Sequence, residues 1–395
     1  TLNTDFAQVE VDDEQVNLTR FGLFFPEKRD FFLENSGIFD FGVQGNPFEP
    51  PQFQMFFSRQ IGIEEDEEEV VPILGGARLT GRVGGQTVGF LTVATDEVQD
   101  LVGRELFSVA RVKRDVGENS YVGVMATDRR STDEENTVIG ADGSFYLTPR
   151  VNVQGWLAQT FTGGEGGEDL AYGLSGRWNT DLAEVWAQYL VVGPEVEAKS
   201  GFVQRTDLRR SDLFLRRSIR PEALNVRKID FYLGGTTFTA TDGTMQDWSL
   251  SPIMSTEFSS GDQITLFLQA GENRPDEEFD LADTLVVSTG TYDAGIAMLM
   301  FNTSQSRPIS LEGSLRTGNF YGGSIVSMGG ELGLAPSPRI ALGLGLNRNR
   351  VKIPTGDFTA KLLSLRGAYS FSTRLSTNLL VQYNSLDKEF STNLR

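Results

Sequence analysis

From Ile73 onward the chain alternates apolar and polar residues with a period of two, in window after window. In Ile309 to Thr317 the apolar set is Ile309, Leu311 and Leu315 with Gly313, and the set between is Ser310, Glu312, Ser314 and Arg316. The same split sets Val326, Met328, Leu332 and Leu334 against Ser327, Gly329, Glu331 and Gly333, and Ile340, Leu342, Leu344 and Leu346 against Ala341, Gly343, Gly345 and Asn347. Leu375, Leu379, Val381 and Tyr383 oppose Ser376, Asn378 and Gln382; Ile264, Leu266 and Leu268 oppose Gln263, Thr265 and Gln269; Ile229, Phe231 and Leu233 oppose Lys228, Asp230 and Gly234. Side chains of a strand point alternately to its two sides, so each window predicts a strand with two unlike faces.

The windows run to about 9 to 13 residues, beyond the five or six usual in soluble strands and long enough to cross a bilayer at a tilt. Connections alternate between short turns, such as Gly84-Gly85, Asp115 to Glu118 and Ser372-Thr373, and longer polar stretches, such as Asp128 to Asn136 and Gly271 to Asp283. Short turns at one rim and long loops at the other are the pattern of outer-membrane barrels. Tyr146, Trp178, Trp186, Tyr189, Trp248, Tyr321 and Tyr369, near strand ends, are expected in the interfacial girdles. A soluble β-sandwich also alternates, but with shorter strands and with domain breaks that this chain lacks. The expected fold is therefore all-β: an antiparallel transmembrane β-barrel over residues 71–395, of about 18 strands (roughly 16 to 20). A lumen that wide is not filled by side chains of the wall and must hold water or a plug.

Composition removes most catalytic machinery. The 395 residues include no Cys and no His, which excludes disulfides, Cys/His metal centres, haem on a proximal His and Ser-His-Asp or Cys-His catalysis. We expect no enzyme, no cofactor and no metal site. The net charge of −19 repels polyanions and argues against nucleic acid as a partner. No run of about 18 apolar residues predicts a membrane helix. Gly163 to Gly167 lacks the Lys and Ser/Thr of a phosphate loop and reads as a turn. The acidic run Glu64 to Glu69 and the loop Gly271 to Asp283 lack calcium-loop spacing and read as solvated loops.

Residues 1–70 read differently. Alternation is weak and aromatics crowd beside charges: Phe21, Phe24, Phe25, Phe31, Phe32, Phe39, Phe41, Phe48, Phe53, Phe56 and Phe57. Thr4 to Val11 reads as an opening strand, and Pro26 followed by charged and aromatic residues up to Gly37 predicts a short helix near 26–35. The remainder is expected to plug or cap the barrel.

The runs Asn3 to Glu10, Val16 to Thr19, Leu23 to Glu34 and Phe57 to Gly62, with Gly201 to Asp207 further on, resemble the C-terminal outer-membrane barrel domain of an uncharacterised bacterial family. Its members carry an N-terminal carbohydrate-binding domain similar to family 9 xylan-binding modules. The resemblance implies the bacterial outer membrane, a barrel cut short at its C-terminus after Phe390 to Arg395, and a link to glycans; it assigns no activity.

Candidate site residues follow from the faces. Arg216 and Arg220 alternate with Leu213, Leu215 and Ile219 within a basic stretch from Arg205 to Lys228. They either line the lumen and favour anionic solutes or meet lipopolysaccharide phosphates and luminal carboxylates. Glu312, Arg316, Glu331 and Arg366 fall on polar faces and either set a transverse field across a pore or pair as interior salt bridges. Glu27, Lys28, Arg29 and Arg59 are candidate plug anchors. Two functions stay open. One is a channel or transporter for a small or glycan-derived solute, gated by the N-terminal segment. The other is a non-conducting anchor or assembly partner for a surface or secretion protein. Lipid and lipopolysaccharide are expected partners in either case.

Overall fold

A computed structural model describes residues 15–42, 50–64, 69–98, 102–132, 134–163, 168–221, 225–282, 285–386 and 388–394. The expected strand Thr4 to Val11, Phe48, the acidic residues 65–68 and the glycine-rich residues 164–167 lie outside them. Twenty strand segments form one closed barrel. Two of them, Tyr292–Asp293 and Ile296–Asn302, both pair with Gln263–Asn273, so among the described residues the wall has nineteen staves, inside the expected range. Ile73–Val83 opens the series and neighbours Glu389–Leu394, where the barrel closes.

Consecutive staves pair antiparallel, with registers as regular as Ile309↔Leu334 through Phe320↔Gly323. Their lengths run from six residues in Glu389–Leu394 to seventeen in Gly356–Ser372. The first of several two-residue hairpins turns on Gly84 and Gly85, both at positive φ (56° and 79°), a conformation that glycine adopts without a Cβ clash. The longest connections, 193–201 with 204–207 and 274–291, leave the barrel at the end where Ile73 enters it.

The period-two faces sort as the pattern requires. Leu311, Leu315, Met328, Leu342, Leu344, Leu346, Leu363 and Leu365 are exposed on the outer face. Apart from the charged Glu312, Arg316, Glu331 and Arg366, many inward positions beside them are small: Ser310, Ser314, Gly329, Gly333, Ala341, Gly343, Gly345 and Ser364. Large residues outside and small ones inside leave the lumen open along this half of the wall. Of the expected girdle aromatics, Tyr146, Trp178, Tyr189 and Tyr369 are exposed on the outside. Trp186 and Tyr321 are not. Trp186 shares the inward parity of Glu184 and Gln188 and is buried, and Tyr321, in a hairpin turn, stacks edge-on with Phe279, Tyr292 and Phe320.

Opposite the open half, the N-terminal segment lies against the inner wall. Phe31, Phe32, Phe39, Phe53, Met55 and Ile61 form one core with Leu91, Val93, Phe107, Val109, Met125, Val138 and Trp156. Glycines let it approach: a Cβ on Gly89 would stand 2.8 Å from Ile38 Cγ2, and one on Gly140 2.5 Å from Phe41 Cζ. Phe53–Gln54 extends the contact by pairing with Phe202–Val203. A second cluster joins Leu281 and Val287 to Phe320, Ile325, Val351 and Ile353 near the loop-bearing end.

The helix expected near 26–35 is only Asp30–Leu33, followed by a 3₁₀ turn at Ser36–Ile38. The reason is local. The Glu27 carboxylate accepts the backbone N–H groups of Lys28 and Arg29, so residues 27–29 turn about that side chain, and Arg29 stays extended.

Candidate functional site

Two features adjoin at Lys28: a clasp within the N-terminal segment and a recess in the open half of the wall. In the clasp, Arg29 forks onto Glu27, Nε to Oε1 at 2.9 Å and Nη2 to Oε2 at 2.7 Å. Its remaining reach goes to carbonyls of a later stretch, Nη1 to Ile61 O and Nη2 to Ser58 O, both at 2.6 Å. The Ser58 hydroxyl closes the ring by donating to Glu27 Oε2 at 2.6 Å, and Phe32 lies under the guanidinium at 4.3 Å. Burial raises the Glu27 carboxyl, but Arg29 and Ser58 together hold it below its ordinary value. Arg29 thus staples residues 27–32 to residues 58–61. The planar fork is suited to this, because one guanidinium serves a carboxylate and two carbonyls at once.

The recess has a volume of about 540 Å³ and is lined by Lys28 from the N-terminal segment and by Gln305, Arg307, Glu312, Glu331, Arg366, Asn378 and Asn393 from the wall. Glu312 and Glu331 stand directly opposite each other in register, an arrangement that is unfavourable for two carboxylates unless cations attend them. Arg366 Nη1 meets Glu331 Oε2 at 2.9 Å, and Gln305 Nε2 donates to Glu312 Oε1 at 2.5 Å. Arg307 is held at the rim by Asp262 at 2.9 Å, and that hydrogen bond, with those from Ser260 and the Ser304 N–H, brings the Asp262 carboxyl down to about 2. Both charges and amide donors therefore face one open cavity, suited to a small polar solute.

Of the residues singled out in the sequence, the recess brings together Lys28, Glu312, Glu331 and Arg366, and the clasp holds Glu27 and Arg29. Arg59 lies beside the clasp, over the Phe25 ring and donating to Pro26 O at 3.4 Å. Arg216 does face inward, but Glu184 at 3.3 Å, Ser218 Oγ at 2.7 Å and Asp230 at 3.8 Å tie it down. Arg220 does not line the lumen. It lies past the end of Leu208–Ile219, exposed, 3.5 Å from Asp181. Arg316 shares the inward face with Glu312 but not the recess; its register partners are Met298 and Ser327, and it has no hydrogen bond or ion pair among the described residues.

Sequence reasoning missed the wall's own anchors. Arg111 donates two hydrogen bonds to Asp142, Nη1 to Oδ1 at 2.6 Å and Nη2 to Oδ2 at 2.8 Å, with both side chains fully buried. Asp247 receives both Arg20 and Arg205 at 2.8 Å, tying the N-terminal segment to the barrel. The signal was present in inward parity: Phe107, Val109 and Arg111 alternate with Ser108 and Ala110, an apolar inner face that calls for an occupant. Among the described residues no three His, Cys, Asp or Glu side chains converge as a metal site.

Residues 1–73, which carry the clasp and lead into the first stave, match a family profile described as a domain of unknown function (DUF5916). Among solved structures, the chain is similar to the ferric citrate transporter FecA in its unliganded form, with a TM-score of 0.37 and 11% identity over 83% of this chain. The chain spans 58% of the length of that protein. No curated protein matches it.

Proposed function

We propose that this chain is a bacterial outer-membrane β-barrel that admits a small polar or glycan-derived solute to a luminal recess, with its N-terminal segment as the gate. The observation that carries this reading is the recess itself: Lys28 of the N-terminal segment faces Glu312, Glu331 and Arg366 of the wall across one cavity. A solute bound there would touch both the fixed wall and the part able to move. Membrane placement is supported by the exposed leucines of the outer face, which water would not favour over so wide a band. The glycan link comes from the family resemblance alone.

The competing reading is a non-conducting anchor, favoured by the depth at which Met55 and Ile61 are buried. Single-channel conductance in planar bilayers separates the two. Because the chain has no Cys, Ile38→Cys with Gly89→Cys introduces a single disulfide between segment and wall. Gating predicts intermittent openings in the parent chain, silence in the oxidised variant and recovery on reduction. Steady conductance indifferent to the tether removes the gate, and silence in all conditions favours the anchor.

A further inference from the structure

Where Leu342, Leu344 and Leu346 line the outer face of Ile340–Ile353, the next three outward positions are Arg348, Arg350 and Lys352. The neighbouring stave changes at the same step: Leu344 pairs with Leu365, Leu346 with Leu363, and then Arg348 with Lys361. All four cations are exposed. None of the four side chains has an ion pair or hydrogen bond among the described residues, although the chain carries a net charge of −19. Arg348 and Lys361, directly opposite on one face of the sheet, repel; Lys352, two positions beyond Arg350, stands opposite Asp357 instead. Alternate residues of a strand lie about 7 Å apart and opposite ones about 5 Å apart, so Arg348, Arg350 and Lys361 can converge on one phosphate-bearing headgroup.

We infer that this patch binds the phosphate-bearing headgroup of a membrane lipid, whose acyl chains lie on the adjoining leucines. The inference rests on the membrane reading above and adds a specific lipid site to it. Charge complementarity selects the headgroup, and the abrupt apolar-to-cationic boundary, in register on two staves, selects a lipid over a free anion. Arginine suits phosphate through its fork and lysine as a point charge.

The test uses the full chain inserted into phosphatidylcholine nanodiscs with and without bis-phosphorylated lipid A, and native mass spectrometry to count retained lipid A. Inorganic phosphate serves as the headgroup-only probe. Arg348→Gln with Lys361→Gln is compared with Arg339→Gln and Arg374→Gln, which remove the same charge from turns at the opposite end. The patch predicts retention of lipid A by the parent and by the turn variant, a drop of about tenfold or more in the Arg348/Lys361 variant, and no saturable binding of inorganic phosphate. It also predicts a higher melting temperature for that variant in zwitterionic detergent, since the opposed cations are gone. Insertion with equal lipid A retention by all three chains overturns the site and leaves the membrane reading intact. Failure to insert at all overturns the membrane reading, and the site with it.

Discussion

Arg29 and Glu27, two residues apart in sequence, form a bidentate pair whose guanidinium also holds the carbonyls of Ser58 and Ile61. Both side chains are buried, at 4% and 10% exposure. Removing one member of such a pair leaves the other charged and dry, which costs about 3–5 kcal/mol. Arg29→Ala should therefore loosen residues 58–61 while the staves persist. Hydrogen exchange should quicken at Gln60 and Ile61, whose N–H groups close the 3₁₀ turn there, and stay slow in the wall. Arg29→Lys should fail to restore protection, because an ammonium cannot fork.

The same pair makes the N-terminal segment acid-sensitive. Burial raises the Glu27 carboxyl and its partners lower it further, to a net position below the ordinary 4.5. A carboxylate depressed in the folded chain contributes stability that is fully present above its unfolded value and is lost as pH falls through the folded one. Protease protection of residues 27–61 should be constant at neutral pH and decline as pH drops below about 4.5. Glu27→Gln should lower protection at neutral pH and flatten that decline. An unchanged acid profile in Glu27→Gln would assign the release to another group.

Where the segment presses on the wall can be tested by adding single methyl groups. A Cβ on Gly140 would lie 2.5 Å from Phe41 Cζ and 2.6 Å from Met55 Sδ, whereas one on Gly176 meets nothing within 4 Å. Overpacking of this kind costs about 1–3 kcal/mol, and a surface change away from such contacts falls within about 0.5 kcal/mol. Gly140→Ala should thus destabilise the barrel to denaturant or raise its open probability, with Gly176→Ala silent in both. Equal behaviour of the two would mean the segment does not occupy this position.

The barrel was legible in the sequence because its signal is repeated: each stave carries its own period-two pattern, so an interruption in one, as between Tyr292–Asp293 and Ile296–Asn302, leaves the others standing. The N-terminal segment was legible only as aromatic and irregular. Its folding depends on partners far away in sequence, as when Arg78 binds the carbonyls of Phe31 and Glu34, and no local pattern encodes such a pairing. Parity set Arg216 on the polar face of its strand but could not reveal Glu184, one stave away, at 3.3 Å. For Arg220 the strand simply ends first, at Ile219.

Arg111 and Asp142 present the inverse case, an anchor with no exposure to solvent at either side chain beyond 1%. Asp142 also accepts the Tyr121 hydroxyl at 3.2 Å and the Gly42 N–H at 3.2 Å, so it joins two staves to the N-terminal segment. Asp142→Ala strands the Arg111 guanidinium and should lower stability by about 3–5 kcal/mol, measured as the urea midpoint of the refolded barrel. Replacing both residues with Leu and Met should recover part of that loss, because the desolvation burden goes with the pair. No recovery would show that the Gly42 and Tyr121 contacts, and not the ion pair, carry the effect.

Glu331 and Arg366 in the recess differ from that pair in exposure, at 41% and 40%. A half-exposed ion pair contributes about 0–1 kcal/mol, so Arg366→Gln should leave unfolding almost unchanged. Its effect belongs to the field inside the lumen. Glu312 and Glu331 face each other in register, and without Arg366 the cations left among the recess residues are Lys28 and Arg307. The reversal potential in a KCl gradient should then move toward the cation potential, and Glu331→Gln should move it the opposite way. Both shifts should be larger than that of Arg220→Gln, which sits outside the lumen beyond its strand end. Equal, negligible shifts in all three would mean that ions do not pass the recess, which would leave it as a binding site without conduction.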